Sequence, residues 1–225
     1  VQWTVDPSTQ FQGPTEAECM LRLLTGHNED ALKDVLLENK IIQQEQIQNS
    51  RDVCRWEGVG CSGQNTVIAI VWGHMSSSVM FIQWLPPLLE IVDITFQAMP
   101  HQQLTTRRLP RELRKCTFSN CRLACTVELR TLPLKLEDVN LSWNLLKGTI
   151  RLTHLPPALR RINMHANRIK KVIVSNVRLP KAFESATFSA NRKVKILCVD
   201  AKAADHRINT KPTAGAFTSY GSLGS

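Results

Sequence analysis

A Leu-Pro pair recurs along this chain at a spacing that few folds can accommodate. The pairs are Leu85-Pro86, Leu109-Pro110, Leu132-Pro133, Leu155-Pro156 and Leu179-Pro180, separated by 24, 23, 23 and 24 residues. Counting from each Leu, the fourth offset holds Leu89, Leu113, Leu136, Leu159 and Phe183, and the seventh holds Val92, Cys116, Val139, Ile162 and Ala186. The ninth holds Ile94, Phe118, Leu141, Met164 and Phe188, and the twelfth Gln97, Cys121, Asn144, Asn167 and Asn191. Offsets seven and nine differ by two, so they share one face of a short strand. A unit this small cannot bury its apolar face alone. Stacked copies bury it against one another and pair their strands into a parallel sheet. The polar residue at offset twelve sits where the chain leaves the strand, where its side chain can satisfy backbone groups of the turn in copy after copy.

The offsets spell L-x-x-L-x-L-x-x-N/C-x-L over roughly half the chain, and this pattern resembles that of leucine-rich repeats. The Leu-Pro-rich style is most similar to leucine-rich repeat proteins of trypanosomatid protozoa. Upstream, Cys54-Arg55-Trp56-Glu57-Gly58-Val59-Gly60-Cys61 is similar to the C-x-W-x-G-V-x-C motif of plant-type N-terminal caps, although the Trp usual before the first Cys is missing. The resemblance implies a disulfide between Cys54 and Cys61, preceded by helices. Thr15-Glu16-Ala17-Glu18 has capping-box form and opens an apolar run through Leu21, Leu23 and Leu24. A second helix is expected from about Asp30 to Gln46, with Leu32, Val35, Leu36 and Leu37 inward, and a first strand from Val67 to Trp72. The expected fold is therefore an α/β-type repeat solenoid with a parallel concave sheet, a coil-rich convex side and a helical N-terminal cap. Its divisions are residues 1–66 for the cap, 67–202 for the solenoid and 203–225 for a flexible tail rich in Ala, Gly, Ser and Thr. No cap motif closes the C-terminal end, so the tail, a partner or further residues must cover it.

Between the core offsets, positions six, eight, ten and eleven are expected to face outward from the concave sheet. Column six reads Ile91, Lys115, Asp138, Arg161, Ser185, so neighbouring charges alternate in sign. Column eight reads Asp93, Thr117, Asn140, Asn163, Thr187, and column ten Thr95, Ser119, Ser142, His165, Ser189; Phe96 and Trp143 stand at offset eleven. A polar sheet with one or two aromatics and Arg suits partner recognition. The binding set read from sequence is Asp93, Phe96, Lys115, Thr117, Asp138, Asn140, Trp143, Arg161, Asn163 and His165. Ser142 beside His165 is no catalytic pair, because no acid orients the His and no oxyanion loop is evident. His27, His74, His101, His154 and His206 share no ligand spacing, and no H-E-x-x-H, C-x-x-C or Gly-rich phosphate loop occurs. Neither a cofactor nor a metal is expected.

Charge is divided unevenly. Residues 1–106 carry a net −7 and residues 107–202 a net +15. Arg122, Arg168 and Arg192 recur at offset thirteen and are joined by Lys170, Lys171, Lys193 and Lys195 along one edge. This basic edge can meet anionic glycans or a membrane surface, or it is a solvated outer face. No aromatic interleaving supports nucleic acid. If Cys54 and Cys61 are joined, the chain matured in an oxidising compartment; the alternative is two free thiols in a cytoplasmic protein. Cys116 is read as a core residue and Cys121 as a ladder residue, so Cys116-x4-Cys121-x3-Cys125 is not read as a metal site; Cys19 and Cys198 have no assignable partner. The single sequon, Asn140-Leu141-Ser142, lies mid-face and decides no location. No run of 18 apolar residues exists, and Val1 opens the chain without a leader-like stretch, as a processed product or a fragment would. These features point to non-catalytic binding of a protein or peptide ligand by a secreted or cell-surface protein. The alternatives are basic-edge binding to anionic glycans or membrane, and an ectodomain fragment of a larger receptor-like protein.

Overall fold

The computed structural model describes residues 14–75, 80–97, 99 and 103–211. Each Leu-Pro pair starts a tight turn in which the proline carbonyl accepts from the amide at offset four: Leu89, Leu113, Leu136, Leu159 and Phe183, at 3.0 to 3.3 Å. Proline has no amide to orphan there, and its fixed φ presets the bend. One residue later the coils join. The Arg114 amide donates to Glu90, Glu137 to Arg114, Arg160 to Glu137 and Glu184 to Arg160, each at 2.8 Å.

The strands follow at once: β1 (Val59–Cys61), β2 (Val67–Gly73), β3 (Ile91–Thr95), β4 (Lys115–Ser119), β5 (Asp138–Asn140), β6 (Lys147–Leu152), β7 (Arg161–Asn163), β8 (Arg168–Val174), β9 (Ser185–Thr187), β10 (Lys195–Cys198) and β11 (Ile208–Asn209). The large sheet runs β1-β2-β3-β4-β5-β7-β9-β11. Its pairs are parallel except β1 with β2. Its register is the repeat itself, since Val92, Cys116, Val139, Ile162 and Ala186 stand in one row. That row, with offsets four and nine, is buried and forms one continuous core. A row of in-register apolar side chains leaves no room for slippage, because a one-residue shift would turn every one of them outward.

The N-terminal region is helical, in two short pieces. Helix α1 (Glu16–Thr25) has Thr15 as N-cap with a full capping box, and it buries Met20, Leu21, Leu23 and Leu24 in the same core. Helix α2 is shorter than the spacing predicts, spanning only Leu32–Glu38. Asn39 and Lys40 end it: Lys40 takes φ 55°, and the Ile41 amide turns back to Leu36 O at 2.8 Å. Ile41 and Ile42 are thereby buried, which a continued helix would not allow, and a separate 3-10 segment covers Gln44–Asn49. Cys54 and Cys61 form the disulfide.

Two further readings need correction. The side opposite the large sheet is not merely coil, because β10, β8 and β6 form a second parallel sheet in that order. The segment read as tail also contributes structure. Strand β11 lies within it, with Ile208 paired to Ala186 and Asn209 to Thr187. This last coil is a polar lid over Phe183. Arg207 donates to Asp205 at 2.8 and 2.9 Å and to Phe183 O at 2.7 Å, with its guanidinium 5.5 Å from the Phe183 ring. A self-satisfied ion pair thus covers Phe183 where the large sheet's last described pairing is made. Residues 212–225 lie outside the described residues.

That lid is acid-sensitive. The Arg207 guanidinium and amide hold the Asp205 carboxyl well below the usual carboxylate range. A depressed carboxylate contributes stability that is full above its unfolded pKa of about 4, begins to decline below that value and is gone only once pH falls through the lower folded-state pKa. Amide exchange of residues 205–209, corrected for intrinsic rates, is expected to rise selectively between neutral pH and pH of about 3. Uniform protection at both pH values would contradict this.

Candidate functional site

The outer face of the large sheet carries the sequence-predicted binding residues in adjacent rows. Arg161 makes a two-pronged contact with Asp138, Nε to Oδ1 at 2.6 Å and Nη2 to Oδ2 at 2.7 Å. Lys115 reaches diagonally to Asp93 at 2.9 Å. The offset before them was missed in the sequence: Glu90, Arg114, Glu137, Arg160 and Glu184 alternate in sign without a break. In the structure Arg114 lies 3.1 Å from Glu137 and 3.8 Å from Glu90, and Arg160 Nε lies 2.8 Å from Glu184. The signal was the same 23-residue period applied to charge. Such part-exposed pairs are each worth about 0–1 kcal/mol, so they set register and surface character more than stability.

Asn140 and Asn163 spend their side-chain oxygens locally. Asn140 Oδ1 accepts from the Ser142 amide and hydroxyl at 3.2 and 2.8 Å, and Asn163 Oδ1 from the His165 amide at 3.0 Å. Their amide NH2 groups remain as donors on the half-buried face, beside a shallow depression of about 230 Å³ lined by Lys115, Asp138 and Arg161. Not every member of the set faces out. Thr117 is buried at 5% exposure, as are Ser142 and Ser189 at 2%. The curvature of closely stacked strands leaves small side chains there in the shadow of their neighbours. Ser142 is held by Asn140 and Ser119, and His165 Nδ1 lies 2.8 Å from Ser189 Oγ. Burial lowers the pKa of His165.

At offset eleven the chain turns sharply. Phe96, Asn120, Trp143, Ala166 and Ala190 all have φ between 52° and 57°. Asn suits that region, but a Phe or Trp is costly in it. Both aromatics are nonetheless displayed, Phe96 at 51% and Trp143 at 56% exposure, with Phe96 stacked on His74 and Trp143 edge-on to His165.

The ladder beneath these turns is formed by Asn144, Asn167 and Asn191. Asn144 Oδ1 accepts from the Cys121 and Leu123 amides, while its Nδ2 donates to Phe118, Leu141 and Ser142 carbonyls. Asn167 and Asn191 repeat the arrangement one and two coils on. Cys121 uses its thiol to donate to Ile94 O at 3.4 Å. Burial pushes the Cys121 thiol up to about 11 and Cys116 up to about 12, so both stay protonated and neither is an activated nucleophile. Among the described residues no group of His, Cys, Asp and Glu is placed to hold a metal, and no helix is long and apolar enough to cross a membrane.

The basic residues lie on the second sheet and at its entrance. Register places Lys147 beside Arg168, and Thr149 and Lys195 on either side of Lys171. Lys170 occupies the irregularity between β6 and β8. Arg192 and Lys193 are exposed in the turn before β10, and Lys193 has φ 51°. Arg122, also at positive φ (54°), precedes a stretch that forms no strand but lies along the start of the second sheet, where the Leu145 amide donates to Leu123 O at 2.9 Å and the Lys147 amide to Cys125 O at 3.1 Å. A groove of about 660 Å³ is lined by Trp143, Arg168, Lys170 and Arg192 together with the small Ala166 and Ala190.

No protein-family model matches the sequence, and no curated protein matches it significantly. By shape the chain is similar to a plant ice-binding protein, with TM-score 0.53 and 16% identity, covering 80% of this chain. It spans 56% of the length of that protein. It is also similar to the LRR ectodomain of the receptor kinase SOBIR1 from Arabidopsis thaliana (TM-score 0.49, 18% identity, 74% of this chain and 94% of that one). A third likeness is to a Pollen Receptor Kinase 3 (TM-score 0.39, 15% identity, 62% and 81%). At these identities the likeness is one of fold alone. The molecule is a parallel β-solenoid, and its leucine-rich-repeat-like character rests on its own offsets.

Proposed function

We propose that this chain is a non-catalytic recognition module whose large-sheet face, the concave side of a curved solenoid, binds a protein or peptide ligand. In this reading residues 1–66 serve as the N-terminal cap, residues 67–202 carry the binding surface, and the protein acts in a secreted or cell-surface setting. The observation that carries it is the display of Phe96 and Trp143, each more than half exposed, on left-handed backbone at the border of an ordered polar face. A bulky aromatic in that conformation is a local cost, and strain of this kind gathers at binding sites. Aromatics and Arg also dominate interface energetics. The disulfide supports an oxidising compartment.

Site-specific photo-crosslinking tests the reading. A photoreactive residue replacing Asn163 or Thr187 on the large sheet is expected to trap one partner protein, and one replacing Lys181 is not. Trapping should fall sharply when Trp143→Ala is added, since an aromatic anchor is worth about 2 kcal/mol or more. Equal trapping from all three positions, or none from the sheet, would defeat the proposal.

A further inference from the structure

We infer that the second sheet and the groove at its entrance form a second binding site, meeting the large-sheet face at Trp143, for a sulfated or uronate-rich polysaccharide. The two sheets handle charge in opposite ways. On the large sheet every in-register or diagonal cation meets a carboxylate, as the Glu90–Arg114–Glu137 and Asp138–Arg161 contacts show. On the second sheet Lys171 stands in direct register with Lys195, and Lys147 with Arg168. Like charges directly opposite each other on neighbouring strands are destabilising. Among the described residues no carboxylate forms an ion pair with any of these four, or with Lys170 or Arg192. At the far end of the sheet the Asp200 carboxylate is held by Ser175, Asn176 and Val177. A chain that alternates charge with such regularity on one face leaves it unneutralised on the other, so the complement is expected from outside.

The groove says what shape that complement has. The exposed Trp143 lines the same groove of about 660 Å³ as Arg168, Lys170 and Arg192. A linear polymer can lay an apolar sugar face on the indole and its anionic groups on the cations, then continue over Lys171 and Lys195. A flat bilayer cannot enter a groove. The Cys54–Cys61 disulfide supports an oxidising compartment, whereas anionic lipid is concentrated in the cytoplasmic leaflet. Single-stranded nucleic acid is held by successive aromatic platforms, and this groove offers one.

The test uses heparin as probe, with the full chain. Lys195→Glu places a carboxylate beside Lys171, so it is expected to raise the melting temperature slightly while weakening heparin binding by about tenfold. A variant that gains stability and loses binding separates function from misfolding. Trp143→Ala should weaken binding without changing its salt dependence, because stacking releases no counterions. Arg55→Glu, an equal charge change far from the sheet, should bind as wild type. Three outcomes would overturn the site: heparin affinity unchanged in Lys195→Glu, equal loss in Arg55→Glu, or tighter binding to oligo-dT or phosphatidylserine-containing vesicles than to heparin.

Discussion

Replacing Asn144 with Ala is expected to cost about 3–5 kcal/mol, enough to unfold a marginally stable domain at moderate temperature. The side chain is 4% exposed and serves five backbone groups in two successive coils. Truncation orphans the Cys121 and Leu123 amides, which lie in residues with no exposed surface, and removes the short 2.7 Å bond to Phe118 O. Unmet buried amides cost about 1–3 kcal/mol each, and water has no room to replace the lost group. Asn144→Asp separates shape from chemistry. It keeps the acceptor but points a buried carboxylate at three carbonyl oxygens, so it should be as damaging at neutral pH and partly relieved in acid, where a protonated carboxyl can donate. Asn191→Ala, on the half-exposed ladder residue of the last Leu-Pro coil, should cost about a third as much. Urea unfolding of the three variants gives the comparison; equal losses at 144 and 191 would show that the ladder acts through something other than buried hydrogen bonds.

Gly58→Ala is expected to lose at least about 3 kcal/mol, with the loss concentrated in the first coil. Gly58 has φ +75°, and a Cβ there would lie 2.3 Å from Val71 O and 2.7 Å from Trp72 Cδ1. Neither neighbour can yield. Val71 donates its amide to Gly58 O at 2.7 Å, and Trp72 is anchored by its indole to Glu57 O at 2.9 Å. The C-x-W-x-G-V-x-C spacing is thus a packing requirement: Trp56 is buried with its indole bonded to Ser50 O, and the glycine lets β1 lie against β2. Tryptophan fluorescence should report the loss at lower denaturant than circular dichroism of the whole chain. Coincident wild-type transitions would mean that this motif is not under the constraint the geometry describes.

Reading the sequence went furthest where one physical rule repeated. Period and alternation together identified the core offsets, the parallel large sheet and the ladder, because each coil meets the same neighbours and must solve the same problem. The capping box at Thr15 was legible for a similar reason, being local. The second helix was misjudged because Leu32 and Leu36 share a face whether or not the helix continues past Glu38; the burial of Ile41 and Ile42 decided the break. The second sheet was hidden among basic residues. Its clue, the short apolar runs Val172-Ile173-Val174 and Ile196-Leu197 that follow Lys171 and Lys195, spans only a few residues per coil and is masked by charge.

By itself, the sequence determined the period, the core and the row into which each strand falls, because burial of apolar offsets at a fixed spacing admits one stacking. It also determined where positive charge accumulates. Only the tertiary structure decided what those charges face. Arg161 and Lys171 are both exposed cations on strands, yet one stands beside a carboxylate and the other beside a lysine. That difference comes from which strands become neighbours and in what register, a long-range outcome no local pattern contains. The lid formed by Asp205, Arg207 and β11 is of the same kind: its residues look like tail until the last coil offers them Phe183 to cover.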